Sequence, residues 1–233
     1  MELYDTIFTR RSVRQYDAAP LGKEELAEIE AALDGAKQLP GQTARFEIVG
    51  ADKLKKVAAP HAVLAYSEGT DAAMCNIGYT LETLDLLLQS KGYGSLWMGM
   101  GKPTEQGADY RILLAFGRTD VPARKGEVDF KRKPVSEISN EDNSIARVCR
   151  LAPSAVNFQP WKLDFAPGKV TVKYSGKGFG KLVAAKFQKI DIGIILKCTE
   201  LALEHEGKTV TGFSPIGSGR DFAVTVAYEK AKG

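Results

Sequence analysis

Apolar residues recur at three- and four-residue steps through Met74, Ile77, Leu81, Leu84 and Leu88, with Leu86 and Leu87 widening the stripe. That spacing predicts a long buried helix, stopped by Gly92. A second stretch, from Asp191-Ile192-Gly193 to Glu206-Gly207, falls in register with the first 115 positions later. Each leads to a strand-like end, Tyr110 to Phe116 and Phe222 to Tyr228. Leu3, Ile7 and Phe8 mark a short helical stretch, and Leu26, Ile29 and Leu33 an amphipathic helix from Lys23 to Asp34. Leu39-Pro40 and a strand from Phe46 to Val49 follow. The counterpart helix opens at Ser139, with Asp142 completing a capping-box-like start, and runs through Ile145 and Val148 to Ala152-Pro153. A strand then begins at Trp161, again 115 positions after Phe46. Two matches at one offset predict an internal repeat, with halves 1–136 and 137–233. Polar, basic residues from Gly117 to Pro134 read as the extended connection between them.

The 233 residues are 44% hydrophobic and 26% charged, an ordinary globular balance. A net charge of +3 is too small to argue for nucleic acid or a membrane surface, but it accommodates a basic pocket for one anion. No apolar run is long enough to span a bilayer and Met1-Glu2-Leu3-Tyr4-Asp5 is no signal peptide, so a cytoplasmic protein is expected. Cys75, Cys149 and Cys198 lack CxxC spacing and read as buried, reduced thiols. His61 and His205 are the only histidines and lie far apart, which supports neither a metal centre nor a Ser-His triad. Ser175 to Lys181 and Gly212 to Gly219 are glycine-rich without a P-loop ending, and read as turns.

Candidate chemistry lies in four segments. In an extended Arg10-Arg11-Ser12-Val13-Arg14, alternation puts Arg10, Ser12 and Arg14 on one face, a set suited to phosphate. Ala152-Pro153-Ser154-Ala155-Val156-Asn157-Phe158-Gln159-Pro160-Trp161 reads as an extended wall, its two internal prolines removing donors while Ser154, Asn157 and Gln159 offer polar groups to a planar ligand. Gly92 to Met100 forms a glycine-rich stretch holding Trp97, Met98 and Gly99, and Lys131-Arg132-Lys133-Pro134 is basic. The first half keeps the arginines; its Pro40 to Phe46 is only a shortened remnant of the Pro-Ser-Ala-Val-Asn segment.

These segments resemble the nitroreductase family of FMN enzymes, and within it the TM nitroreductase subgroup, over nearly the whole chain. The resemblance implies an α+β fold with a mixed or antiparallel sheet and long central helices, two pseudo-repeats forming an intrachain pseudo-dimer. It implies that Arg10, Arg11, Ser12 and Arg14 bind FMN, with Arg10 at the phosphate and Arg14 near the N1–O2 side of the ring. It places Lys131 and Arg132 at the phosphate, although Phe130 stands where the family often has a basic residue. Trp97, Met98 and Gly99 then line the ring, facing Pro153, Ser154, Asn157 and Gln159. The implied activity is oxidation of NADH or NADPH with a nitroaromatic or quinone-like acceptor, by a chain that is monomeric because it supplies its own partner surface. A rival reading is a non-catalytic protein that stores or senses FMN.

Overall fold

The structure, a computed structural model, describes residues 2–176 and 186–231. Six helices are described: α1 (Leu3–Ile7), α2 (Lys23–Asp34), α3 (Asp71–Ser90), α4 (Val135–Ile138), α5 (Ser144–Cys149) and α6 (Gln188–His205). The first sheet holds β1 (Arg45–Gly50), β3 (His61–Tyr66), β6 (Tyr110–Gly117) and β4 (Gly94–Met98), in the order β1-β3-β6-β4. The second holds β7 (Trp161–Ala166), β8 (Lys169–Tyr174), β10 (Ala223–Lys230) and β9 (Lys208–Ile216), in the order β7-β8-β10-β9. All pairings within both are antiparallel. A short ribbon pairs β2 (Leu54–Lys55) with β5 (Lys102–Pro103). The architecture is α+β.

The two long helices form the centre of the molecule. Ile77, Leu81, Leu84 and Leu88 of α3 are buried, as the stripe predicts, in a core shared with Ile190, Ile194, Ile195 and Leu203 of α6. The helices meet backbone to backbone. A Cβ on Gly78 would lie 2.0 Å from the Ile190 carbonyl oxygen, and one on Gly193 would lie 1.8 Å from that of Cys75. Only glycine permits this approach. Each long helix also holds a loop that precedes it: Leu39 N–H donates to Asn76 Oδ1 at 2.7 Å, and Ala155 N–H to Asp191 Oδ1 at 2.9 Å.

Two expectations change. The helix predicted from Ser139 begins at Ser144, because Asn143 caps it by accepting from Ala146 N–H at 2.9 Å while Asp142 pairs with the exposed Arg147. Ser139 instead bridges to Leu163 on β7. Gly212 to Ile216 belong to β9, where pairing along β10 overrides the glycine signal and leaves only the residues from Gly217 on as a turn. In the other glycine-rich stretch, Lys177 to Lys181 lie outside the described residues.

Buried His61 at the start of β3 accepts the Leu21 N–H through Nε2 at 2.9 Å, so the bond needs a neutral ring. Burial, then Arg118, lowers its pKa below the ordinary value near 6.5. Its contribution to stability is therefore complete above the unfolded-state pKa and lost as pH falls through the lowered folded value. Thermal melts from pH 8 to pH 5 should show this decline, and His61→Gln, whose side-chain oxygen can accept the same bond at any pH, should flatten it.

Candidate functional site

Beyond α1 the chain forms an arm along β4, joined by a parallel bridge between Ser12 and Ser95 and by Val13 N–H donating to the Ser95 carbonyl at 2.9 Å. Buried Val13 anchors it. Arg10, Ser12 and Arg14 do not share an exposed face. Arg10 is turned inward, 2% exposed, with Nε 3.2 Å from Oδ2 of fully buried Asp85 on α3. A buried carboxylate under the arm outweighs simple alternation, since either charge alone there would be costly. Arg14 is exposed and makes no hydrogen bond or ion pair among the described residues. Arg11 lies between these extremes, donating from Nη1 to the Pro122 carbonyl at 2.9 Å.

Asp85 gathers donors from three elements. Its Oδ1 accepts Gln89 Nε2 at 3.1 Å and the Ser95 hydroxyl; its Oδ2 accepts Trp97 Nε1 at 3.2 Å and faces Arg10. Gln89 Oε1 in turn accepts Arg11 N–H at 2.7 Å. Glu82, one turn earlier and equally buried, is pushed well above the ordinary carboxyl range by burial and then by the Asp85 charge.

The segment between β6 and α4 delivers further cations. Arg124 donates to the Arg10 carbonyl and stacks 4.1 Å from the Phe130 ring centroid, with Arg132 5.3 Å from the same ring. Burial first, then Arg10 and Arg11, push Arg124 down to about 10. Arg132 is pushed down to about 10 by burial, then by Arg10 and Arg124. Arg10 Nη2 and Arg132 Nε are buried without a hydrogen-bond partner among the described residues. Exposed Lys131 leaves its ammonium to solvent.

The Pro-Ser-Ala-Val-Asn segment docks onto this group. Arg132 Nη1 donates to Asn157 Oδ1 at 2.6 Å, Asn157 Nδ2 to the Lys131 carbonyl at 2.8 Å, and Lys133 N–H to Gln159 Oε1 at 2.9 Å. Ser154 Oγ accepts Gln159 N–H at 2.9 Å. These side chains thus spend hydrogen bonds on joining two segments of the chain, instead of presenting all of them to a ligand. The backbone is not extended either. Ala155–Asn157 make a 3₁₀ turn, and Val156, Asn157 and Gln159 hold φ of 48°, 56° and 49°. The internal bonds overcome the prolines' extended preference. Beneath them lies Asp191, which accepts Ala155 N–H and is pushed up to about 8 by burial. Pro153 is buried.

Trp97 and Met98 close β4, both half-buried, and Gly99 follows. A Cβ on Gly99 would lie 2.4 Å from the Phe187 ring, so the loop presses against the entry of α6. The arm, the glycine loop, the basic segment and the Pro-Ser-Ala-Val-Asn segment are therefore gathered around one junction. Asp85, Glu82, Gln89, Arg124 and Asp191 join them without having been singled out in sequence. Glu82 and Asp85 could have been: two acids three apart flank Leu84 on the buried face of α3. Arg124 carries no such signal.

The fold is α+β and nitroreductase-like. The family model described as "Putative TM nitroreductase" matches residues 2–203, and the chain belongs to this TM nitroreductase family. The "putative nitroreductase (tm1586)" from Thermotoga maritima msb8 has a similar structure, with a TM-score of 0.71 and 21% identity, over 97% of this chain and 94% of that one. A "nitroreductase family protein (cd3355)" from Clostridium difficile 630 has a TM-score of 0.50 and 18% identity, over 61% of this chain and all of its own. No curated protein matches the chain in sequence. No helix among the described residues is long and apolar enough to cross a membrane.

Proposed function

We propose that the chain is an FMN-dependent NAD(P)H oxidoreductase that reduces a nitroaromatic or quinone-like small molecule. The observation carrying this reading is the crowding of guanidinium groups. Burial first, and then the neighbouring arginines, hold Arg124 and Arg132 below the usual arginine range, while Asp85 pairs with Arg10. Sheltered charge of one sign calls for an anion, and a phosphomonoester fits both the charge and the fork geometry of arginine. The orphaned Arg10 Nη2 and Arg132 Nε are consistent with such a ligand.

Bound FMN would supply the hydride and electron transfer. Arg11, Ser12, Lys131 and Arg132 would hold its phosphate end, with Arg10 as a cation beneath them. Trp97, Met98 and Gly99 would flank one side of the ring, and Pro153, Ser154, Asn157 and Gln159 the other. Arg14 would bring positive charge to the ring, favouring its reduced, anionic form.

The two halves, 1–136 and 137–233, are read as one repeat arranged as a pseudo-dimer. The matching strand orders, the reciprocal Gly78 and Gly193 contacts and the paired Asn76 and Asp191 bonds support this. Phe213, 115 positions after Met98, packs on Tyr79 and leaves only a water-sized cavity beside Pro40 and Gln42. One flavin per monomeric chain is therefore expected. Titration of the purified protein with FMN should saturate at one equivalent, and NADPH or NADH under nitrogen should bleach the flavin band. No binding overturns the proposal, and two equivalents overturn the single site. A flavin that never bleaches favours the storage or sensing protein. Light scattering checks the monomer.

A further inference from the structure

We infer that Asp85, acting with Gln89, is a positioning residue that fixes the arginine arm and the glycine loop in one register, so that a single carboxylate sets both ends of the flavin site. The inference rests on the flavin reading above. Its basis is a closed set of bonds whose proton directions are dictated by Asp85. A carboxylate only accepts, so Gln89 must turn Nε2 toward it and Ser95 must donate its hydroxyl proton to it. Ser95 Oγ then accepts the Gln89 amide as well, at 2.7 Å. With Nε2 committed, only Oε1 of Gln89 remains to face the arm, and it takes Arg11 N–H at 2.7 Å. The other carboxylate oxygen faces Arg10 and Trp97, each at 3.2 Å.

The arm and β4 are thus joined through one buried group, at a residue proposed to meet the phosphate (Arg11), the cation beneath it (Arg10) and a residue proposed to line the ring (Trp97). An amide at position 85 would break the set in either orientation. Its NH₂ would face Arg10 and Trp97, or it would face Gln89 and force that side chain to release Arg11.

The other half supplies a control. Glu200 lies 115 positions after Asp85, is as deeply buried, and takes the Tyr79 hydroxyl and Lys37 Nζ, each at 2.6 Å, and Lys197. None of these partners belongs to the arginine arm or to β4, so Glu200→Gln tests the loss of a buried acid as such.

The experiment compares Asp85→Asn, Gln89→Leu and Glu200→Gln with the parent in the full chain. Amide hydrogen exchange without flavin is followed over the arm and over β4; FMN and riboflavin affinities and the reduction potential are then measured. Asp85→Asn and Gln89→Leu should speed exchange in both segments and weaken FMN binding by about tenfold or more. Riboflavin binding should also weaken and the potential should move. Glu200→Gln should do none of these. Unchanged exchange and affinity in the first two variants overturns the inference, as does an equal loss in Glu200→Gln. If Asp85→Asn does not fold, Gln89→Leu carries the test, since it leaves the buried charges paired. If the parent binds no flavin, the flavin reading fails separately, and exchange alone decides whether Asp85 couples the segments.

Discussion

Replacing Arg10 by alanine is expected to lower the unfolding free energy by about 3–5 kcal/mol, the usual consequence of stranding one member of a buried ion pair. Arg10 and Asp85 are 2% and 0% exposed, so water cannot take the place of the lost guanidinium. Urea unfolding of the flavin-free protein measures the loss directly. A double variant, Arg10→Met with Asp85→Leu, should recover only part of it, since no charge is left uncompensated but the Ser95, Gln89 and Trp97 donors lose their acceptor. A loss below about 1 kcal/mol in Arg10→Ala would mean that the pair is effectively solvated, as surface pairs are.

Gly193→Ala should be comparably severe. The added methyl would lie 1.8 Å from the Cys75 carbonyl oxygen and 2.6 Å from the Tyr79 nitrogen, both backbone atoms of α3. No side chain can rotate away to make room, so the two central helices must separate. Overpacking of a core ordinarily costs about 1–3 kcal/mol, and the rigidity of this contact puts the expected loss at the upper end or beyond. Gly78→Ala, 2.0 Å from the Ile190 carbonyl oxygen, should behave alike. Gly92→Ala and Gly207→Ala should not, since nothing lies within 4 Å of an added Cβ there and their cost comes from positive φ alone. Thermal denaturation of the four variants separates the two mechanisms.

The sequence reveals those elements whose apolar period survives burial. The α2 boundaries match Lys23 to Asp34, and the stripes of α3 and α6 place both central helices. It is silent about β3, because all six residues from His61 to Tyr66 are buried and no alternation marks the strand. The site is legible as motifs but not as geometry. The arginine arm, the glycine loop, the basic segment and the Pro-Ser-Ala-Val-Asn segment are all visible in the chain. That Arg10 faces inward depends on Asp85, 75 positions away, and no local pattern encodes that pairing. Likewise, alternation along the arm cannot anticipate that Arg124 will lie over Phe130 and grip the Arg10 carbonyl.

Val156 sits at the crest of the second-half segment, 66% exposed, in a left-handed conformation that valine disfavours. Glycine would adopt that shape more easily, but would also leave it more easily. A branched side chain at such a position narrows the conformations open to the turn once its flanks are tied to Lys131, Lys133 and Asp191. The segment then resembles a sprung clasp: its ordering entropy is surrendered when the chain folds, leaving less to be lost when a ligand arrives.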